Sequence, residues 1–440
     1  EEDTTILILS MIFKYQSIIR SKYLIYFFKI SLTLIYFLIS FSSEASQSCR
    51  TKVFEIDSDF LSANFSRCEI LSENLIRLYL SPEDNIVVNP SPWFAFRKSS
   101  HKEQISIELL YEKFTHRYLP KISTDLVNWK KIDDSMIKIQ DNNKKVTLTF
   151  MPDVNSSYVA AQEILSSIWY EDWYNEIRIK NNVSITQIGR TDDKRYIKKI
   201  SIGNNKKNPH IILLGRQHPP EITGAIALRE FINELLDDDN ISKKFLKNFN
   251  LIVYPLINPD GVDLGHWRHN SHSKDLNRDW GFFTQLETKI INDDIMTSIK
   301  NNEAILLIDF HSTIENIFYI QNEDDLKGYK FANEWLSKNS NNLKNYEYSI
   351  KPTINKKNGV AKNYFASEIH SSGDFTRTAL RTSHTFLDTC SLNITCFKVL
   401  TDLSFRQSYT DKNQVTSLRI PLKWFDVTYI MDYIYKMRLR

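Results

Sequence analysis

The chain has 440 residues, of which 42% are hydrophobic and 25% are charged. These fractions are typical of folded globular proteins, and they exclude disordered, collagen-like and multi-spanning membrane proteins. The 56 basic residues are nearly balanced by 53 acidic ones, and the net charge of +3 is spread along the chain without long blocks of one sign. Since nucleic-acid-binding proteins concentrate positive charge, this balance does not suggest nucleic-acid binding, and no nucleic-acid partner is expected. The length predicts two domains behind an N-terminal leader.

Residues 1–48 are predicted to form that leader. Basic residues between Lys14 and Lys22 precede an apolar stretch from Tyr23 to Phe41, and small polar residues follow, with a cleavage site after Ala45. This order is typical of a secretory signal peptide, so we expect a secreted protein or one that stays in the secretory pathway. The alternative is an uncleaved membrane anchor, since the apolar stretch approaches the length that spans a bilayer. A membrane is expected as a partner only in that case.

Four cysteines follow, at positions 49, 68, 390 and 396. An even number in a secreted chain allows two local disulfides, Cys49–Cys68 and Cys390–Cys396. None of the four has the spacing of a zinc site.

Residues 49–155 are predicted to form a small all-β sandwich, which we interpret as an accessory domain. Short apolar or alternating runs recur there at close spacing, and proline and Asn-Asp pairs separate them. Such runs with little helical periodicity are typical of the strands of a sandwich. They read LIRLYL, NIVV, WFAFR, QISIELLY and VTLTF.

Residues 156–440 have a different pattern, in which apolar runs alternate with longer amphipathic stretches. PHIILLG, LIVYPLINPDG and AILLIDFHS have the composition of buried strands. Apolar residues from Ile222 to Leu235 recur at helical spacing, and a polar helix is predicted over residues 286–301. This alternation predicts an α/β domain with a mixed, largely parallel sheet flanked by helices. Ligand sites in such sheets form beyond the carboxyl ends of the strands.

Candidate metal ligands follow two of these strands. His218 and Glu221 lie three residues apart on a tight loop, and His311 lies at the end of another strand. Each signal alone is weak, because a His-x-x-Glu pair arises by chance and a lone histidine is more often a surface or hydrogen-bonded residue. Both histidines follow strands of one predicted sheet, so we expect them at the same edge. Two histidines, a glutamate and a water form a known catalytic zinc set, which predicts one Zn²⁺ per chain.

A polar segment of 23 residues, NPDGVDLGHWRHNSHSKDLNRDW, contains three further candidates: Arg268, Asn277 and Arg278. Its composition also fits a solvated loop. Arginine near a metal site can bind a carboxylate through two hydrogen bonds, so an anion-binding role is the alternative.

These motifs together resemble the M14 metallocarboxypeptidases. The matching features are His218 with Glu221, the sequence NPDG from Asn258 to Gly261, the segment RHN…DLNR from Arg268 to Arg278, and the distant His311. The chain also resembles the cytosolic-carboxypeptidase-like branch, in which a β-sandwich precedes the catalytic domain. The pieces that carry this second resemblance are FLSANF, SPWFAFR, PKISTDLVNWKKID and IGRTDDKRYIKKISIG.

The resemblance implies a carboxypeptidase-like fold and a role for each candidate. Zinc would activate a water and polarise the scissile carbonyl group, and Arg268 would stabilise the negative charge on the carbonyl oxygen. Asn277 and Arg278 would bind the terminal carboxylate of a peptide or protein, which makes the substrate's C-terminus the expected partner.

The resemblance also implies a glutamate general base on a late strand, and here the sequence departs from the family. Glu368 is the last glutamate of the chain, in a stretch with helical character, and Asp388 lies on a better strand candidate but is one methylene shorter. Both are candidate catalytic bases, and the tail after about residue 370 is atypical. Two alternatives to an active enzyme therefore stay open. One is a catalytically impaired relative that binds zinc and peptide C-termini, and the other is a sequence whose last exon is wrong.

Overall fold

The computed structural model describes residues 47–85, 91–300, 304–313, 316–320, 333, 337, 348–352, 359–361, 364–365 and 399–406. The chain divides into two compact units, Glu1–Gln47 and Ser48–Arg440, and every element below belongs to the second. The predicted leader lies outside the described residues, except for its last two positions. Within the described part of the chain, no helix has the length and apolar character needed to cross a membrane.

Among the described residues, eleven short strands precede the first α-helix and form two sheets. Alternate residues of the longer strands are buried, as expected for strands with one face on a core. The first sheet has the order β1-β2-β5-β11-β7-β8 and the second has the order β3-β4-β6-β10-β9. Their pairs are antiparallel except β4–β6. The strands are β1 (Ser48–Arg50), β2 (Glu55–Asp57), β3 (Arg67–Ser72), β4 (Leu75–Leu80), β5 (Ala95–Lys98), β6 (Ile105–Tyr111), β7 (Lys121–Ser123), β8 (Lys130–Lys131), β9 (Ile137–Gln140), β10 (Lys145–Phe150) and β11 (Ser157–Ala160).

These two sheets precede the α/β part, and the small all-β sandwich domain predicted over residues 49–155 stays a prediction. Buried side chains from both, such as Phe96, Val159, Leu109 and Leu148, belong to one hydrophobic cluster. A disulfide joins Cys49 in β1 to Cys68 in β3, which confirms the first predicted pairing. The second predicted pair, Cys390–Cys396, lies outside the described residues. The division of the chain at residues 155 and 156 stays a prediction.

The rest of the described chain builds an eight-stranded mixed sheet with helices. The strand order is β12-β13-β15-β14-β16-β19-β17-β18. Its strands are β12 (Val183–Arg190), β13 (Tyr196–Ile202), β14 (His210–Gly215), β15 (Asn250–Tyr254), β16 (Ala304–Thr313), β17 (Asn316–Ile320), β18 (Tyr348–Pro352) and β19 (Val399–Arg406). The helices are α1 (Ser167–Ile177), α2 (Ile222–Leu235), α3 (Asn240–Asn248), α4 (Pro259–Asp263) and α5 (Leu286–Ile299). Short 3-10 helices span Asp134–Met136 and Leu276–Arg278.

The predicted α/β class is confirmed, although the sheet is less parallel than expected. The neighbouring pairs β14–β15, β14–β16, β16–β19 and β17–β18 are parallel, whereas β12–β13, β13–β15 and β17–β19 are antiparallel. Three of the parallel pairs lie at the centre, where β14 is covered on both faces, and β17–β18 lies at one edge. Leu213 and Leu214, for example, pack into two different clusters on opposite faces. Strands buried on both faces need continuous apolar sequences, which is why β14 reads HIILLG.

Candidate active site

The loop that follows β14 brings His218 and Glu221 to the carboxyl edge of the sheet. Arg216 adopts a left-handed conformation with φ of 53°, which turns the chain sharply at the end of the strand. Its buried guanidinium donates to the carbonyl oxygen of Pro219 at 2.7 Å and to the hydroxyl of Tyr170 at 3.3 Å. The turn is therefore held by a side chain of its own loop, and α2 begins directly after Glu221.

His311 reaches the same edge from β16, and two hydrogen bonds join its strand to α2. The hydroxyl of Ser312 accepts from the main-chain N–H of Gly224 at 2.9 Å and lies 2.8 Å from the hydroxyl of Thr223. Because β14 and β16 are adjacent and parallel, their carboxyl ends lie side by side. The predicted convergence of the two histidines is therefore observed.

His218, Glu221 and His311 form a compact buried cluster. Their exposed fractions are 4, 6 and 4%, and their potential ligand atoms all lie within 4.8 Å of one another. Nδ1 of His218 is 2.8 Å from Oε1 of Glu221, and Nδ1 of His311 is 2.7 Å from Oε2. Burial raises the pKa of Glu221, but the two neighbouring histidines outweigh it and hold that pKa well below its ordinary value.

The other nitrogen of each histidine faces an aspartate that the sequence analysis did not assign. Nε2 of His218 lies 2.9 Å from Oδ1 of Asp275, and Nε2 of His311 lies 2.9 Å from Oδ2 of Asp309. A carboxylate at Nε2 keeps the proton on that nitrogen and leaves Nδ1 able to bind a cation. One signal for Asp309 was present in the sequence, since residues two apart on a strand share a face.

This donor set fits a zinc ion. Two imidazole nitrogens and one carboxylate are the ligands of a catalytic zinc site, in which water takes a further position. Histidines whose second nitrogen binds a carboxylate are the usual form of such ligands. All three side chains are buried, and both Nδ1 atoms lie against the one carboxylate. The residues present are therefore those that would hold the ion.

Asp275 also connects the cluster to Arg268. Its Oδ2 accepts from Nε of Arg268 at 2.8 Å, while Oδ1 accepts from the main-chain N–H of Asn277 at 2.9 Å. Burial raises the pKa of Asp275, but His218, Arg268 and Arg278 together lower it well below the ordinary value. A single ionised carboxylate thus fixes Arg268 beside the histidine cluster.

Asn277 and Arg278 lie next to this cluster in a short 3-10 helix. Nδ2 of Asn277 is 3.1 Å from Nε2 of His311, and its Oδ1 accepts from the main-chain N–H of Ala361 at 3.0 Å. Nη1 of Arg278 donates to the carbonyl oxygen of Asn277 at 2.5 Å. Arg278 is partly exposed whereas Asn277 is buried, so the structure places the arginine on the accessible side.

A sequence match identifies the protein family of this chain. The sequence matches the zinc carboxypeptidase family, Peptidase M14, over residues 170–395, which is just over half of the chain. The chain belongs to the M14 zinc carboxypeptidase family. The matched range contains all of the residues that the sequence analysis proposed for the site, including Glu368 and Asp388.

Curated relatives share only part of their length with this M14 family member. An uncharacterised protein of Zymomonas mobilis is 24% identical over 197 residues, which are 43% of this chain and 50% of that protein. Cytosolic carboxypeptidase 3 of Bos taurus is 29% identical over 119 residues, which are 26% of this chain and 12% of that protein. The chain thus matches half or less of the length of these relatives.

Solved structures of carboxypeptidases have the same fold. A metallo-carboxypeptidase from Burkholderia cenocepacia superposes with a TM-score of 0.67 at 16% identity, over 87% of this chain and 99% of that one. A metallo-carboxypeptidase from Pseudomonas aeruginosa gives 0.66 at 15% identity, over 87% and 100%. The extent of the likeness shows that the shared fold reaches beyond the predicted catalytic domain into the first strands.

The NPDG motif of this M14 family member links three loops. The side chain of Asn258 accepts from the N–H of Gly261 at 2.9 Å, and its Nδ2 donates to the carbonyl oxygens of Gln217 and His269, each at 3.2 Å. It therefore links the loop before His218 to the segment that carries Arg268. The motif was recognised by resemblance, but its structural role depends on contacts between loops.

Neither candidate for the general base can be placed in the site, because Glu368 and Asp388 lie outside the described residues. Strand β19, Val399–Arg406, pairs with β16 on the side opposite to β14. It contains one acidic residue, Asp402, whose Cα is paired with that of Asp309. Asp402 was not among the predicted bases, because the pairing of β19 with β16 cannot be read from the sequence.

Proposed function

We propose that the protein is a zinc-dependent carboxypeptidase that removes C-terminal residues from peptides or proteins. The observation that supports this most strongly is the convergence of the two Nδ1 atoms on Glu221, with each Nε2 held by an aspartate. This is the arrangement expected of a metal site that keeps its histidines in one tautomer. His218, Glu221 and His311 hold one Zn²⁺ in this proposal.

Zinc bound by these residues would supply a Lewis acid and an acidified water. The protein's own side chains supply position and charge. Arg268, fixed by Asp275, stabilises the negative charge that develops on the carbonyl oxygen. Arg278, on the accessible side of the same segment, binds the free carboxylate of the substrate, with Asn277 beside it. Recognition of a free carboxylate restricts cleavage to the C-terminus.

Peptide hydrolysis tests this function directly. We expect the purified protein to contain about one zinc per chain and to cleave a peptide with a free C-terminus, but not the same peptide with an amidated C-terminus. His218→Ala should lose both the zinc and the activity, because two remaining ligands hold the ion poorly. His272→Ala is the matched control, since that histidine is half exposed and lies outside the cluster. Equal turnover of both peptides would contradict the assignment.

The general base is the part of the mechanism that separates an active enzyme from a binding protein. A carboxylate that acts as the general base increases the rate of hydrolysis about 100- to 10,000-fold. Glu368→Gln, Asp388→Asn and Asp402→Asn should be compared for hydrolysis and for peptide affinity. Loss of hydrolysis with unchanged affinity in one variant identifies the base. A parent that binds peptides and zinc without hydrolysis supports the impaired relative, and sequencing the 3′ end of the transcript tests the alternative of a wrong last exon.

We further propose that the protein acts in the secretory pathway or outside the cell. The basic and apolar segments before Ala45 support this, and the Cys49–Cys68 disulfide is of the kind that persists in oxidising compartments. The mature protein should begin near Ser46, which N-terminal sequencing of secreted protein would establish. An intact leader in membrane fractions would favour the anchored alternative.

A further inference from the structure

A loop of the first strands reaches the active-site segment. Glu83 follows β4, and its carboxylate accepts three hydrogen bonds from main-chain N–H groups of consecutive residues. Oε2 accepts from Trp267 at 2.7 Å, and Oε1 accepts from Arg268 at 2.9 Å and from His269 at 2.6 Å. Three donors aimed at one carboxylate form an anion-binding nest, here filled by a side chain of the same chain.

Other contacts from the first strands hold the same segment on its N-terminal side. The hydroxyl of Ser62 donates to the carbonyl oxygen of Val262 at 2.7 Å, and Nδ2 of Asn64 donates to that of Gly265 at 2.6 Å. Asp84, the neighbour of Glu83, lies 2.5 Å from Nδ1 of His269. Main-chain groups from residue 262 to residue 269 are thus bound by residues from the N-terminal part of the chain.

Glu83, Asp84 and His269 form a second cluster, and a structural role for Glu83 explains it better than a bound metal ion does. Glu83, Asp84 and His269 lie close enough to share a cation. However, both oxygens of Glu83 already accept from N–H groups, whose positive ends point to the place a cation would occupy. The geometry therefore favours a structural role for the carboxylate.

The Glu83 carboxylate is connected to His218 through covalent and hydrogen bonds. Glu83 fixes the main chain of Arg268, the side chain of Arg268 donates to Asp275, and Asp275 faces His218. Carboxylates that bind several N–H groups make stronger hydrogen bonds than neutral acceptors do. A displacement of about 1 Å at a catalytic group costs about 100-fold in rate, so the position of the Arg268 main chain matters for the reaction.

We propose that Glu83 is a positioning residue for catalysis, and that the N-terminal strands complete the active site by holding Arg268 through it. This inference rests on the proposed function, in which Arg268 stabilises charge on the carbonyl oxygen. A group that acts only in the transition state changes kcat and leaves KM alone. Glu83 acts on the reaction through Arg268 and does not contact the substrate.

The test uses Glu83→Gln in the full chain, with Glu103→Gln as the matched control in an exposed loop near the first strands. Glutamine keeps the shape but places an NH₂ group against main-chain donors. We expect kcat per zinc-loaded chain to fall about 10- to 100-fold, with KM and zinc content unchanged. Amide hydrogen exchange should accelerate in a fragment covering residues 262–271. The control should change none of these quantities.

A second pair of variants separates positioning from general stability. In an Arg268→Ala background, the Glu83→Gln change should lower kcat no further, because the group on which it acts is gone. A full additional loss in that background, or unchanged exchange in residues 262–271, would overturn the proposal. If the parent hydrolyses no peptide, the proposed function fails, and the exchange measurement still decides whether Glu83 holds the segment.

Discussion

Gly224 packs directly against the main chain of His311. A Cβ atom at position 224 would lie 2.6 Å from the carbonyl oxygen of His311 and 2.8 Å from its carbonyl carbon, both closer than real contacts allow. Glycine at this position therefore lets the first turn of α2 touch β16, and this contact sets the distance between Glu221 and His311. The arrangement of His218, Glu221 and His311 therefore depends on the absence of a side chain at position 224.

The first prediction concerns this contact. Alanine normally stabilises a helix by about 1 kcal/mol relative to glycine. At position 224 we expect the opposite sign, because α2 must move away from the strand, at a cost of roughly 1–3 kcal/mol. Urea denaturation of Gly224→Ala should show a lower midpoint, and zinc affinity should fall because Glu221 moves with the helix.

Gly189→Ala is the matched control for Gly224→Ala. The three atoms nearest to a Cβ at position 189 all belong to the side chain of Ile290, so a side chain rather than main chain would have to shift. Equal stability and equal zinc affinity of the Gly224 variant and the parent would show that α2 and β16 can separate without cost.

His116 gives a pH-dependent prediction. Burial lowers the pKa of His116 from 6.5 to about 4, and its Nδ1 lies 2.8 Å from the hydroxyl of Tyr111. The unfolded chain therefore takes up this proton more readily than the folded chain, and stability falls as the pH drops below about 6.5. The loss should approach about 1–2 kcal/mol at pH 5, where the folded histidine is still mostly neutral.

Comparison with His116→Gln isolates this contribution, because the carboxylates titrate in both proteins. Between pH 7 and pH 5, the free energy of unfolding of the parent should fall more than that of the variant. Parallel curves for the two proteins would mean that His116 titrates equally in the folded and unfolded chains.

The local sequence pattern was sufficient to predict the helix and the strands next to His218, Glu221 and His311. The predicted helix from Ile222 to Leu235 has those bounds in the structure, because its apolar spacing and its burial follow the same period. The predicted strands PHIILLG and AILLIDFHS correspond, to within one residue at an end, to β14 and β16. Adjacent parallel strands bring their carboxyl ends together, so the convergence of His218 and His311 followed from topology.

Contacts between distant segments could not be predicted in this way. Glu83 bonds to residues more than 180 positions further along the chain, and no periodicity reports such a pairing. Asp275 was recognised within a motif, but its contacts with His218, Arg268 and the Asn277 N–H depend on how separate loops meet. The mixed sheet was predicted, but which of its pairs are antiparallel was not, because an apolar strand sequence does not specify the direction of its neighbour.

The Cys49–Cys68 disulfide should contribute to stability. It closes a loop with a sequence separation of 19 residues, for which the chain-entropy account gives roughly 3 kcal/mol. We expect Cys49→Ser/Cys68→Ser to lower the free energy of unfolding by about 2–4 kcal/mol in oxidising buffer. In reducing buffer the parent and the double variant should have similar denaturation midpoints. A difference between them that persists after reduction would assign the effect to the serine side chains.

The final prediction compares the two aspartates that face His218 and His311, the proposed zinc ligands. Asp275 uses both oxygens, one toward His218 and the Asn277 N–H and the other toward Arg268. An amide at this position therefore places an NH₂ group against a donor in either orientation.

Asp309 differs, because Oδ2 serves both Gln217 and His311, whereas Oδ1 has no partner among the described residues. An asparagine side chain at this position can keep both contacts through its oxygen and loses only the charge. Replacing a carboxylate behind a metal-binding histidine costs about 10- to 100-fold in metal affinity. We expect Asp309→Asn near the lower value and Asp275→Asn near the upper one, measured by zinc competition with a chelator. Asp294→Asn is the control, since that carboxylate binds Lys199 and Tyr254 instead. The reverse order would mean that the charge at Asp309 matters more than the hydrogen-bond geometry at Asp275.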